Sequence, residues 1–326
     1  MFRLAFALLA SAMLASAACA QPVSGDSGWP SKPVRLIAPF PPASTVDVIA
    51  RVLGQKLSAR LGQQFVVDNR VGASGNIGAD AIAKAAPDGY TIGVVTSSTH
   101  AVAVTLSPNL PYDPLRDFTP ITMIASSPYV LVLYPGVPAK TVPELIALAR
   151  SRPGALNYGS AGPATLSHLA AALFATLSDI SLTHVPYKST AQSVIDLISG
   201  RIEMQFATIA PSLANIRAGQ LRALAVTGKR QIEALPSVPT MVEAGVPGYE
   251  AVLWFALMAP AGLPAGIARR LNREVVAILD TAEMKETLAQ QGFIGEPGPP
   301  EALTAQIRAE IAKWKEIIPK AGIKPE

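Results

Sequence analysis

From Val34 onward, short apolar runs alternate with amphipathic stretches, the pattern of α/β layering. Val34–Ala38 reads as a first strand. A proline-rich turn follows, then Val46, Ile49, Ala50, Leu53, Leu57 and Leu61 at helical spacing. Residues 65–67 predict a second strand, 79–85 a short helix entered through Gly75-Asn76-Ile77-Gly78, and 91–95 a third strand. A second series starts with a strand at 129–133. It continues through a helix at 142–150, a strand at 156–158, a helix at 166–177, a strand at 182–185 and a helix at 191–198. Strands at 204–206 and 223–226 close it. The apolar run 252–257 is expected as a strand returning to the first lobe, before helices at 267–279, 283–290 and 303–317. The expected fold is α/β and two-lobed, with lobe 1 formed by residues 30–124 plus 260–326 and lobe 2 by 125–249. Residues 250–259 form the return crossover. Two crossovers make a hinge with a cleft, and α/β sheets place ligands at the carboxyl ends of their strands.

Composition narrows the class. Half of the 326 residues are hydrophobic and 15% are charged, against about 25% in ordinary soluble proteins. Disorder is therefore excluded despite 29 prolines. A mean hydropathy of +0.33 raises the question of membrane spans. Beyond residue 20, no apolar run approaches the ~18–20 residues that cross a bilayer. Residues 1–20 have the anatomy of a signal peptide: Arg3, an apolar stretch over 4–14, and Ala18-Cys19-Ala20 offering a cleavage site before Gln21. Export to the periplasm is expected. Acylation of Cys19 is the lesser alternative, because Ser16 stands where lipoprotein signals usually carry leucine. Cleavage after Ala20 removes the only cysteine, leaving no disulfide or thiolate metal site.

The formal charge of +4 is spread thinly, with Arg269-Arg270 the heaviest cluster and no aromatic-interleaved basic stripe. No nucleic-acid partner is expected; a mild positive field suits an anionic small molecule. The three histidines, at 100, 168 and 184, show no metal spacing, and phosphate-loop and dinucleotide fingerprints are absent. Ser160 with His168 would supply a nucleophile and a base. The stretch Tyr158-Gly159-Ser160-Ala161-Gly162 is nevertheless not a G-x-S-x-G elbow. The chain is expected to be a non-enzyme without cofactor or metal.

Two strand–turn–helix junctions carry the candidate chemistry. In Pro39-Phe40-Pro41-Pro42-Ala43-Ser44-Thr45-Val46-Asp47, Ser44 or Thr45 can cap the helix and Asp47 suits its first turn. In Gly159-Ser160-Ala161-Gly162-Pro163-Ala164-Thr165, glycines permit close backbone approach, and Ser160 and Thr165 add hydroxyls. Free N–H groups at both helix starts could hold an anion. One turn per lobe could grip a single carboxylate from both sides.

These residues also carry a resemblance. Pro39-Phe40, Asp47, Ala50-Arg51, Asp68-Asn69-Arg70, Gly72-Ala73, Gly75-Asn76-Ile77-Gly78, Pro87-Asp88-Gly89-Tyr90-Thr91, Tyr158-Gly159-Ser160, His168-Leu169-Ala170 and His184-Val185-Pro186-Tyr187-Lys188 occur in the order of the Bug family. The chain is similar to these solute-binding proteins of tripartite tricarboxylate transporters over nearly all of its mature length. The resemblance implies a periplasmic-binding-protein fold, a small organic carboxylate as ligand, and permease subunits as membrane partners of a monomer. It implies that the two turns reach the proximal carboxylate through backbone N–H groups, hydroxyls and bridging water. Where the family usually has two glycines after Pro42, this chain has Ala43 and Ser44, which narrows the approach to the backbone.

The candidate ligand contacts are Phe40, Pro42, Ala43, Ser44, Thr45 and Asp47 in the first turn, and Thr96 and Ser97 after the third strand. In the second lobe they are Ser160, Ala161, Gly162, Thr165 and His168, then Tyr187, Lys188 and Thr190, with Phe206 and Thr208 for the distal pocket. Asp68-Asn69-Arg70 and Pro87-Asp88-Gly89-Tyr90 are expected to set turns. A reading from another class keeps the same binding chemistry but makes the protein the sensor partner of a membrane receptor kinase.

Overall fold

A computed structural model describes residues 28–324 except 43, 164, 188, 189 and 291. The expected signal segment with Cys19, and the candidates Ala43 and Lys188, lie outside the described residues, as does the side chain of Thr190.

Strand β1 (Val34–Ala38) is buried at every position but Arg35 and pairs in parallel with β2 (Phe65–Asn69) and β3 (Thr91–Thr96). Such covered strands are parallel-sheet centres. Helix α1 (Thr45–Leu61) connects β1 to β2. It starts where Ser44 accepts the Asp47 amide and stops at Gly62, whose φ of 71° ends the helix in the left-handed region. Its buried stripe of Ile49, Leu53 and Leu57 shares one apolar cluster with Leu36, Ile92 and Phe255.

The expected strand at 129–133 is the end of a 16-residue strand, β4 (Phe118–Leu133). Its first part pairs antiparallel with β9 (Val252–Pro260) in the first sheet. Its last part, from Tyr129, lies between β7 (Met204–Thr208) and β8 (Arg222–Val226) in the second. The first sheet runs β2-β1-β3-β9-β4, with β10 (Ile294–Gly295) added on β4. The second runs β8-β4-β7-β5-β6, with β5 (Asn157–Ser160) parallel to β6 (Thr183–Pro186). Pro128 pairs with Val252, so both crossings between the lobes stand side by side at one pivot.

Helices α4 (Val142–Ser151), α5 (Leu166–Ser178) and α6 (Thr190–Ile198) cover the second sheet near the expected positions. The short helix expected at 79–85 is α2 (Asn76–Ala83), and two helical segments were not anticipated: a wide turn at Ser98–Val102 continued by α3 (Ala103–Leu106), and α7 (Ile209–Arg217). Proline in the first turn of α7 is compatible with a helix start. After α8 (Ala265–Leu279) and α9 (Ala282–Gln290) comes α10 (Pro300–Lys320). Its Leu303 and Ile307 pack with Val95 and Trp254. Its Trp314, Ile317 and Ile318 join a cluster with Leu169, Leu173 and Phe174 of α5. Allotting 260–326 to lobe 1 alone therefore does not describe α10, which straps the two lobes together. Among the described residues no helix is long and apolar enough to cross a membrane.

Candidate functional site

The carboxyl ends of β1, β3 and β5 open onto one cavity of about 390 Å³ between the lobes, within the range of small-molecule sites. Phe40, Ser44, Thr45 and Val46 enter it from the β1–α1 turn, and Thr96 and Ser98 from the end of β3. Ala161, Pro163, Thr165, Leu166 and Ser167 enter from the β5–α5 turn. Leu253 and Phe255 come from β9 and Tyr129 from β4. Alternation along β9 turns Trp254 to the opposite face, where it lines a separate hollow at the back of the pivot.

Local chemistry shapes each turn. The Ser44 hydroxyl accepts the Asp47 amide at 3.3 Å, leaving its own proton free to donate. The Asp47 carboxylate is turned away from the cavity: it accepts Arg51 Nε at 2.9 Å and Asn69 Nδ2 at 2.9 Å. Asn69 also donates to the Phe40 carbonyl, which ties the turn to β2. In the second turn, the Thr165 hydroxyl donates to the Gly162 carbonyl at 2.7 Å, and Ser167 Oγ accepts the Ala161 amide at 3.0 Å. The Thr165 side chain makes no capping bond to the first turn of α5. Gly162 is buried with φ 117°, so glycine is required by the turn itself rather than by ligand approach. None of the described residues lining the cavity is charged.

Several candidates sit elsewhere. Ser160 is fully buried; its Oγ accepts the Gly162 amide and is hydrogen-bonded to His184 Nε2 at 2.6 Å. The partner of Ser160 is thus His184, not His168. His168 stacks on His184, which stacks on Tyr158. Burial, with the His184 charge adding to it, pushes the His168 pKa down to about 4; burial lowers His184 as well. His168 and Tyr158 line another hollow of about 450 Å³ beside α5, not the interlobe cavity. Phe206 is fully buried, 6.0 Å from each of the rings of Phe174 and Tyr249, because it pairs with Leu131 on the core side of the sheet. Pro42 is exposed on its turn, and Ser97 is buried with an unpartnered hydroxyl. The Tyr187 hydroxyl donates to Asp196 at 2.8 Å, and Thr208 is half-buried outside the cavity lining.

Other residues were missed. Ser74, Asn76, Val102, Leu106, Ser107, Tyr129, Leu253 and Phe255 all line the cavity. Asn76 stood within a quoted motif, and alternation along the return strand could have singled out Leu253 and Phe255. The Val102–Ser107 wall depended on a helical turn that carried no clear periodicity.

Residues 49–323 match the family described as the tripartite tricarboxylate transporter family receptor, TctC. The chain belongs to that family. Protein BugT of Bordetella pertussis (strain Tohama I) is 38% identical over 312 residues, covering 95% of this chain and 95% of BugT. Among solved structures, R. palustris Rpa4515 with adipate is 38% identical, with a TM-score of 0.77 over 91% of this chain and 100% of that one. MatC (Rpa3494) from Rhodopseudomonas palustris with bound malate is 30% identical, with a TM-score of 0.72 over 89% of this chain and 100% of MatC. The resemblance to the Bug family read from the sequence is confirmed, and the fold is the two-lobed architecture of periplasmic binding proteins.

Proposed function

We propose that the protein is a periplasmic solute-binding protein that captures an organic carboxylate between its lobes and delivers it to the permease subunits of a tripartite tricarboxylate transporter. One observation carries this reading. Two helix N-termini, α1 from one lobe and α5 from the other, meet at a cavity whose described lining residues bear no charge. The positive pole is then the N-terminal end of both helices, with the Thr45 and Val46 amides of α1 ahead of the capped Asp47 amide, supplemented by the Ser44 and Thr45 hydroxyls. Hydrogen bonds to a charged group contribute about 1.5–3 kcal/mol each. The apolar remainder of the wall suits a carbon body. The structures of relatives with adipate and with malate support the same ligand class here.

Catalysis does not enter this reading, since Ser160 lies outside the cavity lining with its hydroxyl engaged by His184 and Gly162. Nothing in the fold favours the sensor alternative.

A thermal-shift panel of carboxylates tests the binding, because a ligand of the folded state raises the melting temperature. Each acid that shifts it is compared by calorimetry with its primary amide. The acid should bind and the amide should not; equal affinities would overturn the carboxylate reading. For delivery, uptake of that acid should fall equally on deleting this protein or the permease.

A further inference from the structure

Most polar groups around the cavity are already engaged by the protein. The Thr165 and Ser167 hydroxyls hold the β5–α5 turn. Asn76 uses both ends of its amide, accepting from Tyr112 at 2.9 Å and donating to Ser107 at 3.3 Å. Thr96 Oγ1 accepts the Thr99 amide. Tyr129 differs. Its backbone N–H donates to Thr227 Oγ1 at 2.7 Å, and the residue is only 7% exposed. Its side chain lines the cavity, and no described residue hydrogen-bonds its hydroxyl. That hydroxyl is not among the enclosed polar atoms of the described residues, so it opens onto the cavity and is available to a bound molecule. The lining residues that share the apolar cluster of Tyr129, namely Val102, Leu106, Leu166 and Leu253, offer no oxygen or nitrogen from their side chains.

We propose that Tyr129 reads the far end of the ligand: beyond its carboxylate and an apolar body, the bound molecule carries an oxygen that accepts the Tyr129 hydroxyl. This rests on the carboxylate reading above and deepens it. A hydroxy acid, an oxo acid and a dicarboxylate share that chemistry. Burial pushes the phenol up to about 12, so it stays protonated and able to donate at neutral pH. Its position matters as well. Tyr129 directly follows Pro128, where β4 passes from one sheet to the other. A ligand atom bound there sits at the pivot, where lobe rotation displaces it least. A site built to bond a ligand oxygen rejects the analogue that lacks it.

Calorimetry on the purified protein tests this with hexanoate, 6-hydroxyhexanoate, adipate and 1,6-hexanediol. A ring series of benzoate, 4-hydroxybenzoate and terephthalate runs beside it. In the series that fits, an acid with a distal oxygen should bind at least tenfold tighter than the plain acid, about 1.4 kcal/mol. In Tyr129→Phe that ratio should collapse to within twofold of unity. The unliganded variant should melt at or above the parent temperature, because the hydroxyl it loses has no protein partner; a merely structural tyrosine would lower it. Plain acids binding as tightly as their substituted partners, or a preference that survives in Tyr129→Phe, would overturn the proposal while leaving the carboxylate reading intact. Binding of the diol as tightly as the acids, or of no acid in either series, would overturn both.

Discussion

His168 and His184 stack almost parallel, with ring centroids 4.0 Å apart and planes 7° from one another. One comes from the first turn of α5 and the other from β6, directly behind the turn that carries Ser160 to Thr165. A proton on either ring would place a cation at a helix N-terminus and against its neighbour, both unfavourable. Burial above all, with the His184 charge adding to it, holds the His168 pKa near 4 in the folded chain, against 6.5 for the free side chain. Between those values the unfolded chain binds the proton and the folded chain does not, so stability rises with pH. It is fully present above about pH 6.5 and is lost as pH falls toward 4. At ~1.4 kcal/mol per unit, His168 alone accounts for about 3 kcal/mol. Buried His100, held near 3, acts with the same sign. Melting temperatures taken from pH 7 to pH 4 should fall, and His168→Phe, which keeps a ring in the stack, should flatten that dependence. An unchanged slope in the variant would contradict the role given to the pair.

Gly162 makes a second test. Its φ of 117° lies where side chains other than hydrogen are strained, yet a Cβ there would meet only the Tyr187 carbonyl oxygen, at 3.5 Å. Strain rather than collision should dominate. Gly162→Ala is expected to cost about 1–3 kcal/mol in denaturant unfolding and to weaken ligand binding by distorting the α5 entry. Full stability in this variant would show that the turn tolerates the substitution and that glycine is not needed for its conformation.

What the sequence revealed divides along a physical line. Ser44 was legible because capping is local chemistry, decided within a turn. The stripe of Ile49, Leu53 and Leu57 was legible because one face of α1 is buried. The first two-thirds of β4 was not, since Thr119, Pro120, Thr122, Ser126 and Ser127 interrupt its apolar run and its pairing with β9 is irregular near Pro120 and Met123. Tyr129 and Phe206 show the remaining difficulty. Both lie on paired strands near the cleft, yet tertiary packing turns one into the cavity and the other into the core. His168 was misplaced for a similar reason, because its partner His184 is distant in sequence and adjacent only through the β5–β6 pairing.

Asp47 and Asn69 hold the first turn without facing the cavity. The Asp47 side chain is 3% exposed and receives both Arg51 and Asn69, while Asn69 also reaches the Phe40 carbonyl. Asn69→Ala removes two of these bonds and leaves a buried carboxylate with less compensation. A net hydrogen bond is worth about 0.5–1.5 kcal/mol and one to a charged group more, so a loss of about 2 kcal/mol in stability is expected. Affinity for the ligand should drop too, because Phe40 and Ser44 lose their anchor to β2. Measured unfolding and calorimetry on the same variant separate the two effects; affinity preserved at reduced stability would place the turn's rigidity elsewhere.

The strap formed by α10 makes a different demand on the molecule. Trp314 is fully buried in a cluster that also holds Val102 and Leu106 from the first lobe and Leu169 and Phe174 from the second. Trp254 Nε1 on β9 donates to Glu310 Oε2 at 2.9 Å, and Lys313 pairs with the same carboxylate, which fixes the helix one turn earlier. The two lobes therefore share apolar packing beyond the pair of crossings at Pro128 and Val252. Deleting a large buried aromatic typically costs 3–5 kcal/mol through lost transfer energy and the cavity left behind, and Trp314→Ala should fall in that range. Because the packing is shared, the parent should unfold in one cooperative step, with tryptophan fluorescence and far-ultraviolet circular dichroism giving coincident transitions. Trp314→Phe, which fills most of the space, should keep them coincident at modestly reduced stability. In Trp314→Ala the shared cluster is hollowed, so the two probes should separate as one lobe melts before the other. A parent that already melts in two steps, or an alanine variant of undiminished stability, would show that α10 does not couple the lobes.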